Sequence, residues 1–456
     1  MVSRGQRQGA RDGGALTGTS PEPGALPSAP ASPAGVIIGI DARLEPGRHG
    51  GVEQYVIGIA HGLSSLTDGD EEYRFLVYPG ASQWLAPYVS GRARIVEAPV
   101  GPSAESRSAA ARRRIAAAVP WIRAGWRVLA SRLPAARPDR DPLDSDETMA
   151  SLGAALVHFP FQRGFRTDLP TIYQPWDLQH RHLPEFFSPS VIRWREATYR
   201  ALCEQARIVV TASQWTKQDV GSSYAISPDR IAVVNVPAPI AAYAAPSESE
   251  LGAIATALGL PARFLLYPAQ AWPHKNHARL FAALALARQR GIDAYVVLTG
   301  STGDGRRRLQ DEARRHGVAD LVTMPGFVEP PQMHAAYQLA SGLIFPSLFE
   351  GWGLPIVEAF ASGVPVACSN VTSLPELVGD AAIVFEPTDV EEIAAAIARL
   401  WSDGELTEQL VARGRKRLER LTWPGTARRL RALYRLALGA GLTADDRRIL
   451  QDEPPV

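Results

Sequence analysis

Residues 345–366 read FPSLFEGWGLPIVEAFASGVPV, and this stretch gives the clearest indication of the fold. It overlaps a short apolar run, GLIFPS at 342–347, which predicts a buried strand. Proline is favoured in the first turn of a helix, so a helix is predicted to begin near Leu354 or Pro355. The stretch therefore predicts a strand, a glycine-containing turn and a helix in direct succession.

The turn carries two glycines and a carboxylate, and a second carboxylate follows in the helix. Gly351 and Gly353 are placed where the free N–H groups and the dipole of the helix favour an anion. Glu350 lies in the turn itself, and Glu358 lies about one helical turn further on. Carboxylates accept hydrogen bonds from hydroxyl groups, so the pattern is typical of a site for a nucleotide sugar, in which hydroxyls flank a diphosphate. The alternative for Glu358 is a purely structural interaction with the helix dipole.

Short apolar runs bounded by turn residues recur along the rest of the chain, with helix-length stretches between them. This alternation predicts parallel sheets that are covered by helices on both faces. The fold class is thus α/β, with two domains of similar size. Strands are predicted at 35–43, 73–80, 154–160, 206–213 and 230–237, and again at 262–270, 294–300, 321–328, 342–347 and 364–370.

A proline-rich segment, NVPAPIAAYAAPSESE at 235–250, predicts the connection between the two domains. The first 34 residues contain no aromatic side chain, which favours a disordered tail. The predicted organisation is a tail at 1–34, an N-terminal domain at 35–240, a linker at 241–260, a C-terminal domain at 261–424 and a helix at 425–445.

Composition and charge exclude several classes of protein. The 456 residues, of which 46% are apolar, are enough for two hydrophobic cores. Because 48 Lys and Arg nearly balance 47 Asp and Glu, a nucleic-acid partner is not expected. Cys203 and Cys368 are too few for a disulfide framework or a zinc site, which favours a reducing compartment and hence the cytoplasm. No apolar run approaches the roughly 18 residues of a membrane span.

Further motifs follow the two glutamates: SGVPV at 362–366, SLPEL at 373–377 and GDAA at 379–382. Through them the chain, from Gly35 to about residue 440, resembles the retaining glycosyltransferases of glycosyltransferase family 4, and in particular its mannosyltransferase-like members. That family has the GT-B fold, in which two Rossmann-like domains face each other across a central cleft and a C-terminal helix crosses back. The resemblance implies that Glu350 contacts the donor sugar and Glu358 the ribose. It also implies that backbone amides of the turn contact sugar and phosphate, namely those of Gly351, Trp352, Gly353 and Leu354.

A lysine in the segment YPAQAWPHKNHARL, at 267–280, extends the resemblance. Lys275 resembles the family's donor-phosphate lysine, and a cation beside a diphosphate offsets the charge that grows as the glycosidic bond breaks. The alternative is a solvated surface lysine. The family's second phosphate cation is an arginine a few residues earlier, where this chain has Gln270 or Ala271.

A second glycine turn lies near the start of the N-terminal domain, in GRHGGVEQY at 47–55. It resembles the family's glycine loop that closes on the donor phosphates. Gly50 and Gly51 are therefore expected to bind the donor, an expectation that rests on the resemblance because a double glycine before a helix is common in α/β proteins.

The segment TIYQPWDLQHRHLPEFFSP, at 171–189, resembles the acceptor-side motif of the mannosyltransferase-like members. A histidine commonly precedes the Asp-Leu pair in that motif, and here Trp176 takes its place. Three interpretations remain open: His180 or His182 compensates, Trp176 is a stacking platform for a sugar, or activity is lowered. Asp177 is expected to orient an acceptor hydroxyl, and His180 is a candidate catalytic residue.

The resemblance thus implies transfer of a hexose, with retention at the anomeric carbon, to a hydroxyl of a glycan or lipid-linked acceptor. GDP-mannose is the favoured donor, and no cofactor is expected. A metal is not expected either, because the acid-x-acid triplets at 68–70, 139–141 and 144–146 lie in polar, loop-like segments. The alternatives are a nucleotide-sugar-binding protein with weakened catalysis and a GT-B epimerase or sugar phosphate synthase.

A basic segment at 105–133 has apolar residues at helical spacing and several arginines on the remaining surface. Such a helix either packs on the N-terminal domain or lies in an anionic membrane interface. The second arrangement predicts peripheral contact with the inner face of the plasma membrane and would suit a lipid-linked acceptor.

Overall fold

The computed structural model describes residues 35–47, 50–99, 143–242, 245–300 and 302–456, which form two parallel α/β domains. The predicted tail at 1–34, the basic segment at 105–133 and the triplet at 139–141 lie outside the described residues. Within the described residues, no helix has both the length and the apolar character needed to cross a bilayer.

The N-terminal domain is built on a seven-stranded parallel sheet in the order β3-β2-β1-β4-β5-β6-β7. Its strands are Ile37–Asp41 (β1), Glu72–Val77 (β2), Ala93–Glu97 (β3), Leu156–Phe159 (β4), Thr171–Tyr173 (β5), Ile208–Thr211 (β6) and Ile231–Val233 (β7). Its helices are Gly51–Ser64 (α1), Thr148–Ser151 (α2), Gln179–His182 (α3), Pro189–Gln205 (α4) and Gln214–Tyr224 (α5). Strands β1 and β4 are fully paired within the sheet and almost completely buried, as expected for a parallel sheet covered on both faces.

The C-terminal domain has a six-stranded parallel sheet in the order β10-β9-β8-β11-β12-β13. Its strands are Leu265–Pro268 (β8), Val296–Thr299 (β9), Val322–Gly326 (β10), Gly342–Phe345 (β11), Val366–Ser369 (β12) and Ala382–Phe385 (β13). Helix Glu248–Leu258 (α6) precedes it, followed by His277–Gln289 (α7), Gly303–Arg315 (α8), Pro330–Leu339 (α9), Leu354–Ala361 (α10), Leu374–Val378 (α11), Val390–Ser402 (α12) and Gly404–Leu418 (α13). Short 3₁₀ helices occupy Ala86–Tyr88, Pro184–Phe186, Pro228–Arg230, Pro239–Ala242, Pro273–Lys275 and Ala319–Leu321.

In each sheet the order in which successive strands are added changes direction once. The reversal lies between β1 and β4 in the N-terminal sheet and between β8 and β11 in the C-terminal sheet. At such a switch point the loops that follow the two neighbouring strands diverge and leave a crevice at the carboxyl edge of the sheet, where α/β proteins bind ligands. The loops after β8 and β11 contain the predicted Lys275 and Glu350, so the topology alone places these two residues side by side.

The chain ends with helices Trp423–Leu438 (α14) and Ala444–Gln451 (α15), and α14 returns to the N-terminal domain. It packs closely on α1, because a Cβ atom added to Gly62 would lie 2.7 Å from the carbonyl oxygen of Trp423. Arg431 on α14 forms an ion pair with Asp68 in the loop before β2. The crossover helix predicted at 425–445 is therefore present, with its end at Gly439 in the left-handed conformation.

Candidate active site

The turn between β11 and α10 has the predicted geometry. Gly353, with φ of +110°, directly precedes the helix, and Pro355 lies in its first turn. In the described part of the chain, the amides of residues 351–354 donate no hydrogen bond. These free N–H groups lie at the positive end of the helix dipole, so the turn is suited to bind a phosphate or a sugar oxygen.

Lys275 and Glu350 meet at the switch point of the C-terminal sheet. The Nζ atom of Lys275 lies 2.5 Å from Oε1 of Glu350, and both side chains are largely buried. The lysine loop is fixed by the left-handed Asn276, whose side-chain amide donates to the carbonyl of Pro346 at 3.0 Å. Tyr267 also donates to the carbonyl of Lys275 at 2.6 Å. The two residues that were expected to act on the donor are thus in direct contact and rigidly supported.

The backbone of Glu350 is held by a residue that sequence reasoning missed. Thr372 donates its hydroxyl to the carbonyl of Glu350 at 2.7 Å and accepts the Glu350 amide at 3.1 Å. Thr372 has φ of +50°, which is a strained conformation for a β-branched residue. Ser373 adds a second hydroxyl at 3.0 Å from the same carbonyl. Thr372 directly precedes the SLPEL motif and Ser373 is its first residue, but the motif itself does not indicate which atoms they contact.

Glu358 lies in the second turn of α10 and is half-buried. Tyr337 on α9 donates its hydroxyl to Oε2 of Glu358 at 2.7 Å. Burial raises the pKa of Glu358 to about 7, against the lowering effect of the Tyr337 hydrogen bond. The carboxyl therefore titrates near neutrality, and a ligand that donates hydrogen bonds to it would favour its ionised form.

The two domains touch directly beside Glu350. A Cβ atom added to Gly351 would lie 2.3 Å from the carbonyl oxygen of Trp176 and 3.2 Å from Cβ of Asp177, so only glycine allows this approach. Thr216 at the start of α5 donates to the carbonyl of Gly351 at 3.2 Å. The predicted acceptor motif and the predicted donor turn are thereby brought together across the cleft.

A second contact across the domain boundary involves Glu376 of the SLPEL motif. Its carboxylate accepts the backbone amides of Gln214 and Trp215 at 2.7 and 3.1 Å. These are the first two amides of α5, which have no partner within the helix. Glu376 thus caps a helix of the opposite domain and fixes the closed arrangement, a role that its sequence motif did not reveal.

Asp177 is half-buried within this contact region. Burial has the largest effect on its carboxyl and raises the pKa. The hydrogen bond from the Gln179 amide and the positive charges of Arg195 and Lys275 lower this pKa, whereas the negative charge of Glu350 raises it. Asp177 thus lies within the electrostatic reach of both predicted donor-site residues. One oxygen of the carboxylate accepts the backbone amide of Gln179 at 3.1 Å.

The glycine loop of the N-terminal domain reaches the same helix. Gly50 has φ of +51°, and a Cβ atom added to Gly51 would lie 3.0 Å from Cδ1 of Leu354. The loop and the N-terminus of α10 therefore lie next to each other, as expected for two parts of one donor site.

The side chain of Trp352 points into the protein interior, because it is buried and donates from Nε1 to the carbonyl of Val236 at 3.0 Å. Only the backbone of Trp352 is available to a ligand.

Comparison with known proteins identifies the family. Residues 256–417 match the family model described as "Glycosyl transferases group 1". O-antigen chain mannosyltransferase B of Escherichia coli is 30% identical over 258 residues, which cover 56% of this chain and 67% of that protein. The chain belongs to the group 1 glycosyltransferases.

This glycosyltransferase has further similarity to mannosyltransferases. It is 27% identical over 257 residues to the MMP alpha-(1->4)-mannosyltransferase of Mycolicibacterium hassiacum, covering 55% of this chain and 59% of that protein. It is 28% identical over 230 residues to the serotype-specific mannosyltransferase WbdA of Escherichia coli, covering 49% of this chain and 28% of that protein. The glycosyltransferase thus aligns with about two thirds or less of the length of these relatives.

Solved structures agree on the fold. Sucrose-phosphate synthase from Thermosynechococcus elongatus superposes with a TM-score of 0.62 at 18% identity, covering 89% of this chain and 100% of that chain. HepE of Anabaena, in complex with UDP and glucose, also gives a TM-score of 0.62 at 18% identity, covering 87% and 98%. Likeness at this identity shows the fold, and it confirms the two-domain GT-B architecture that the sequence predicted.

The structure does not bring His180 into contact with the cleft. The imidazole is fully buried, packs against the ring of Tyr199 and lies 3.3 Å from a carboxylate oxygen of Glu196. Burial lowers the pKa of His180 to about 4, so the ring is neutral at physiological pH. An imidazole with no exposed surface cannot contact an acceptor, and the expected catalytic role of His180 does not fit this geometry.

Trp176 is not a stacking platform either. The indole is buried, donates from Nε1 to the carbonyl of Pro160 at 2.9 Å, and packs edge-on against Tyr55. The residue has φ of +71°, which is unusual for a bulky side chain and turns its carbonyl towards Gly351.

His182 is more exposed than His180. Its Nε2 atom lies 2.9 Å from a carboxylate oxygen of Asp219, and its ring packs against Phe349 of the opposite domain.

Two of the acid-x-acid triplets lie within the described residues. Asp68 pairs with Arg431, and Asp146 pairs with Arg43 and accepts the Thr148 amide at 2.8 Å. Among the described residues, no group of three or more His, Cys, Asp or Glu side chains is placed to hold a metal ion. Cys203 and Cys368 are both buried and unpaired.

Proposed function

We propose that this glycosyltransferase moves a hexose from a nucleoside-diphosphate sugar to a hydroxyl of a glycan or glycolipid, with retention at the anomeric carbon and without a resident metal. Mannose is the favoured sugar and GDP-mannose the favoured donor. Three mannosyltransferases among the relatives support the choice of sugar. The structure of HepE with UDP and glucose supports a nucleotide-sugar donor for this fold.

The observation that carries the proposal is the contact between Lys275 and Glu350 beside the free amides of residues 351–354. A diphosphate that enters this crevice meets a lysine and the positive end of α10 on the same side. Both offset the charge that develops on the leaving phosphate as the glycosidic bond breaks. They supply the electrostatic stabilisation for which other transferases use a divalent cation.

The remaining residues have separate roles in this proposal. Glu350 exchanges its contact with Lys275 for hydrogen bonds from hydroxyls of the donor sugar, which releases the lysine to the phosphate. Glu358 accepts hydrogen bonds from the ribose. Asp177 orients the acceptor hydroxyl, which attacks the anomeric carbon on the face that the diphosphate leaves. The departing phosphate oxygen takes the proton of the acceptor, so no protein carboxylate forms a bond to the sugar.

A panel of donors tests the proposal. The purified protein is incubated with GDP-mannose, UDP-glucose, UDP-galactose and UDP-N-acetylglucosamine, with and without EDTA, and with methyl α-mannoside as acceptor. We expect one donor to raise the thermal unfolding midpoint and to be consumed equally in EDTA. NMR of the product should show the anomeric configuration of the donor. Absence of both binding and turnover across the panel would contradict the proposal.

Variants connect the activity to the site. Lys275→Ala and Glu350→Gln are expected to reduce turnover at least a hundredfold, because each removes a group that acts on the transition state. Lys416→Ala is the matched control, since Lys416 is an exposed lysine on α13. Incubation with donor alone distinguishes the alternatives: an epimerised sugar nucleotide would indicate an epimerase.

A further inference from the structure

An arginine on α4 has no anionic partner although it lies close to the cleft. Arg195 is half-buried, and its Cζ atom lies 4.7 Å from the ring centre of Phe187 and 5.9 Å from that of Tyr199. In the part of the chain that the structure describes, its guanidinium makes no hydrogen bond and no ion pair. A guanidinium has five donors, so a half-buried one without acceptors is an unusual feature of a folded protein.

Other arginines with little exposed surface in this protein have structural partners. Arg43 is held by Asp41 at 2.9 Å. Arg431 is held by Asp68, also at 2.9 Å. Arg195 instead rests on aromatic rings, an arrangement that fixes its plane by cation–π contact and leaves its N–H groups free. Its surroundings therefore prepare the guanidinium for a ligand and do not neutralise it.

Arg195 lies on a part of α4 that is attached to the wall of the cleft. The next residue, Glu196, bonds His180, which fastens this part of α4 to the loop after β5 that contains Asp177. The charge of Arg195 acts on groups in both domains. It opposes the burial that raises the pKa of Asp177 in one wall, and it adds to the burial that lowers the pKa of His274 in the other. His274 lies in the loop after β8, next to the phosphate lysine.

A diphosphate carries more negative charge than Lys275 alone can balance, even after Glu350 releases the lysine. Lys275 is paired with Glu350, and the positions where a second cation was expected carry Gln270 and Ala271. We propose that Arg195 binds a phosphate group of a substrate in the cleft and so provides, from the opposite domain, the second phosphate cation. The planar fork of the guanidinium would donate two parallel hydrogen bonds to phosphate oxygens. This inference rests on the proposed function.

Two substrates can bring a phosphate group to this place. One is the donor, through its diphosphate. The other is an acceptor that itself carries a phosphate or diphosphate, as a lipid-linked glycan does. The chemistry that Arg195 recognises is the same in both cases, so binding experiments must separate the two sources.

Isothermal titration calorimetry with two arms separates them. The first arm measures the affinity of the free enzyme for GDP and for UDP. The second measures the affinity of inorganic pyrophosphate for the enzyme that is already saturated with the better of the two nucleotides. Each arm compares wild type with Arg195→Gln, Arg195→Lys and the control Arg193→Gln, which removes the same charge from an exposed position on α4.

We expect Arg195→Gln to weaken one arm by about tenfold or more, as is typical when a charged hydrogen-bond partner is lost. Loss in the first arm assigns the donor diphosphate to Arg195, and loss in the second assigns an acceptor phosphate. Arg195→Lys keeps the charge and the packed side-chain stem but not the fork, so its loss should be smaller. Arg193→Gln should match wild type in both arms.

Unchanged affinity of Arg195→Gln in both arms, with an unchanged unfolding midpoint, would overturn the inference. If Arg195→Gln lowers both the midpoint and the affinity, Arg195→Lys decides: a smaller loss of affinity than that of the Gln variant supports the inference, and an equally large loss overturns it. If wild type binds neither nucleotide, the proposed function fails. In that case a tenfold loss of pyrophosphate binding to the free enzyme still supports a phosphate site at Arg195, and its absence refutes one.

Discussion

Replacing Glu358 by glutamine should make the protein more stable above neutral pH and, at the same time, a weaker binder of its donor. The folded state raises the pKa of this carboxyl from 4.5 to about 7, chiefly through burial. A shift of that size corresponds to about 3 kcal/mol. Since the neutral form is preferred in the fold, this contribution is intact below about pH 4.5 and is lost as the pH rises through 7.

Glutamine keeps the shape of the side chain and can still accept the Tyr337 hydroxyl, but it carries no charge at any pH. At pH 8 the variant should therefore exceed wild type in stability by up to about 3 kcal/mol, which for a protein of this size corresponds to a rise of roughly 3 °C in the unfolding midpoint. At pH 4.5 the two midpoints should nearly coincide. Donor affinity should fall, because an amide oxygen accepts ribose hydrogen bonds less strongly than a carboxylate does.

Thermal unfolding between pH 4.5 and 8.5 and calorimetric titration with nucleoside diphosphates measure both effects. Glu408→Gln serves as the control, because Glu408 is exposed on α13 and its removal should not change the pH profile. Parallel stability profiles for wild type and Glu358→Gln across this range would refute the reasoning, since they would mean that the buried carboxyl titrates at its ordinary pH.

Three further substitutions test the contacts around the cleft. Gly351→Ala should reduce turnover more than a hundredfold while the protein remains folded, because the new methyl group would overlap the carbonyl of Trp176; near-normal activity would show that the closed contact is not required. Glu376→Gln should lower kcat/KM about tenfold by weakening the cap on α5, and small-angle scattering that shows no opening of the domains would contradict this reason. Thr372→Val should lower kcat without changing nucleotide affinity, because the Glu350 backbone loses its hydroxyl partner, and Thr372→Ser should restore activity.

The positions of the residues that we propose to bind the donor could be predicted from the sequence, because these residues lie next to strand ends. Lys275 and Glu350 each follow an apolar run, and parallel strands bring their carboxyl ends to one edge of the sheet. The glycine turn and the start of α10 follow from local preferences of glycine and proline. These features depend on a few consecutive residues, which is why their prediction was accurate.

The acceptor half could not be predicted in the same way. A sequence motif does not show whether a ring points into the cleft or into the core, and both Trp176 and His180 are buried. Glu376 has partners that are distant in the chain, so nothing local indicates its role. The ring contacts of Arg195 are local, but the sequence does not show that its guanidinium lacks an acidic partner. Strands β3, β5 and β13 were also not predicted, although β13 consists entirely of apolar residues.

Helix α14 makes the N-terminal domain dependent on residues that follow the whole C-terminal domain in the chain. Tyr434 bonds the buried His158 in β4 at 3.0 Å, and Trp423 fills the space above Gly58 on α1. The first domain therefore cannot complete its hydrophobic core during synthesis until more than 420 residues have been translated. Until then a nascent chain would expose the surface of α1 and β4 that α14 covers in the complete protein. We therefore expect the incomplete chain to bind chaperones.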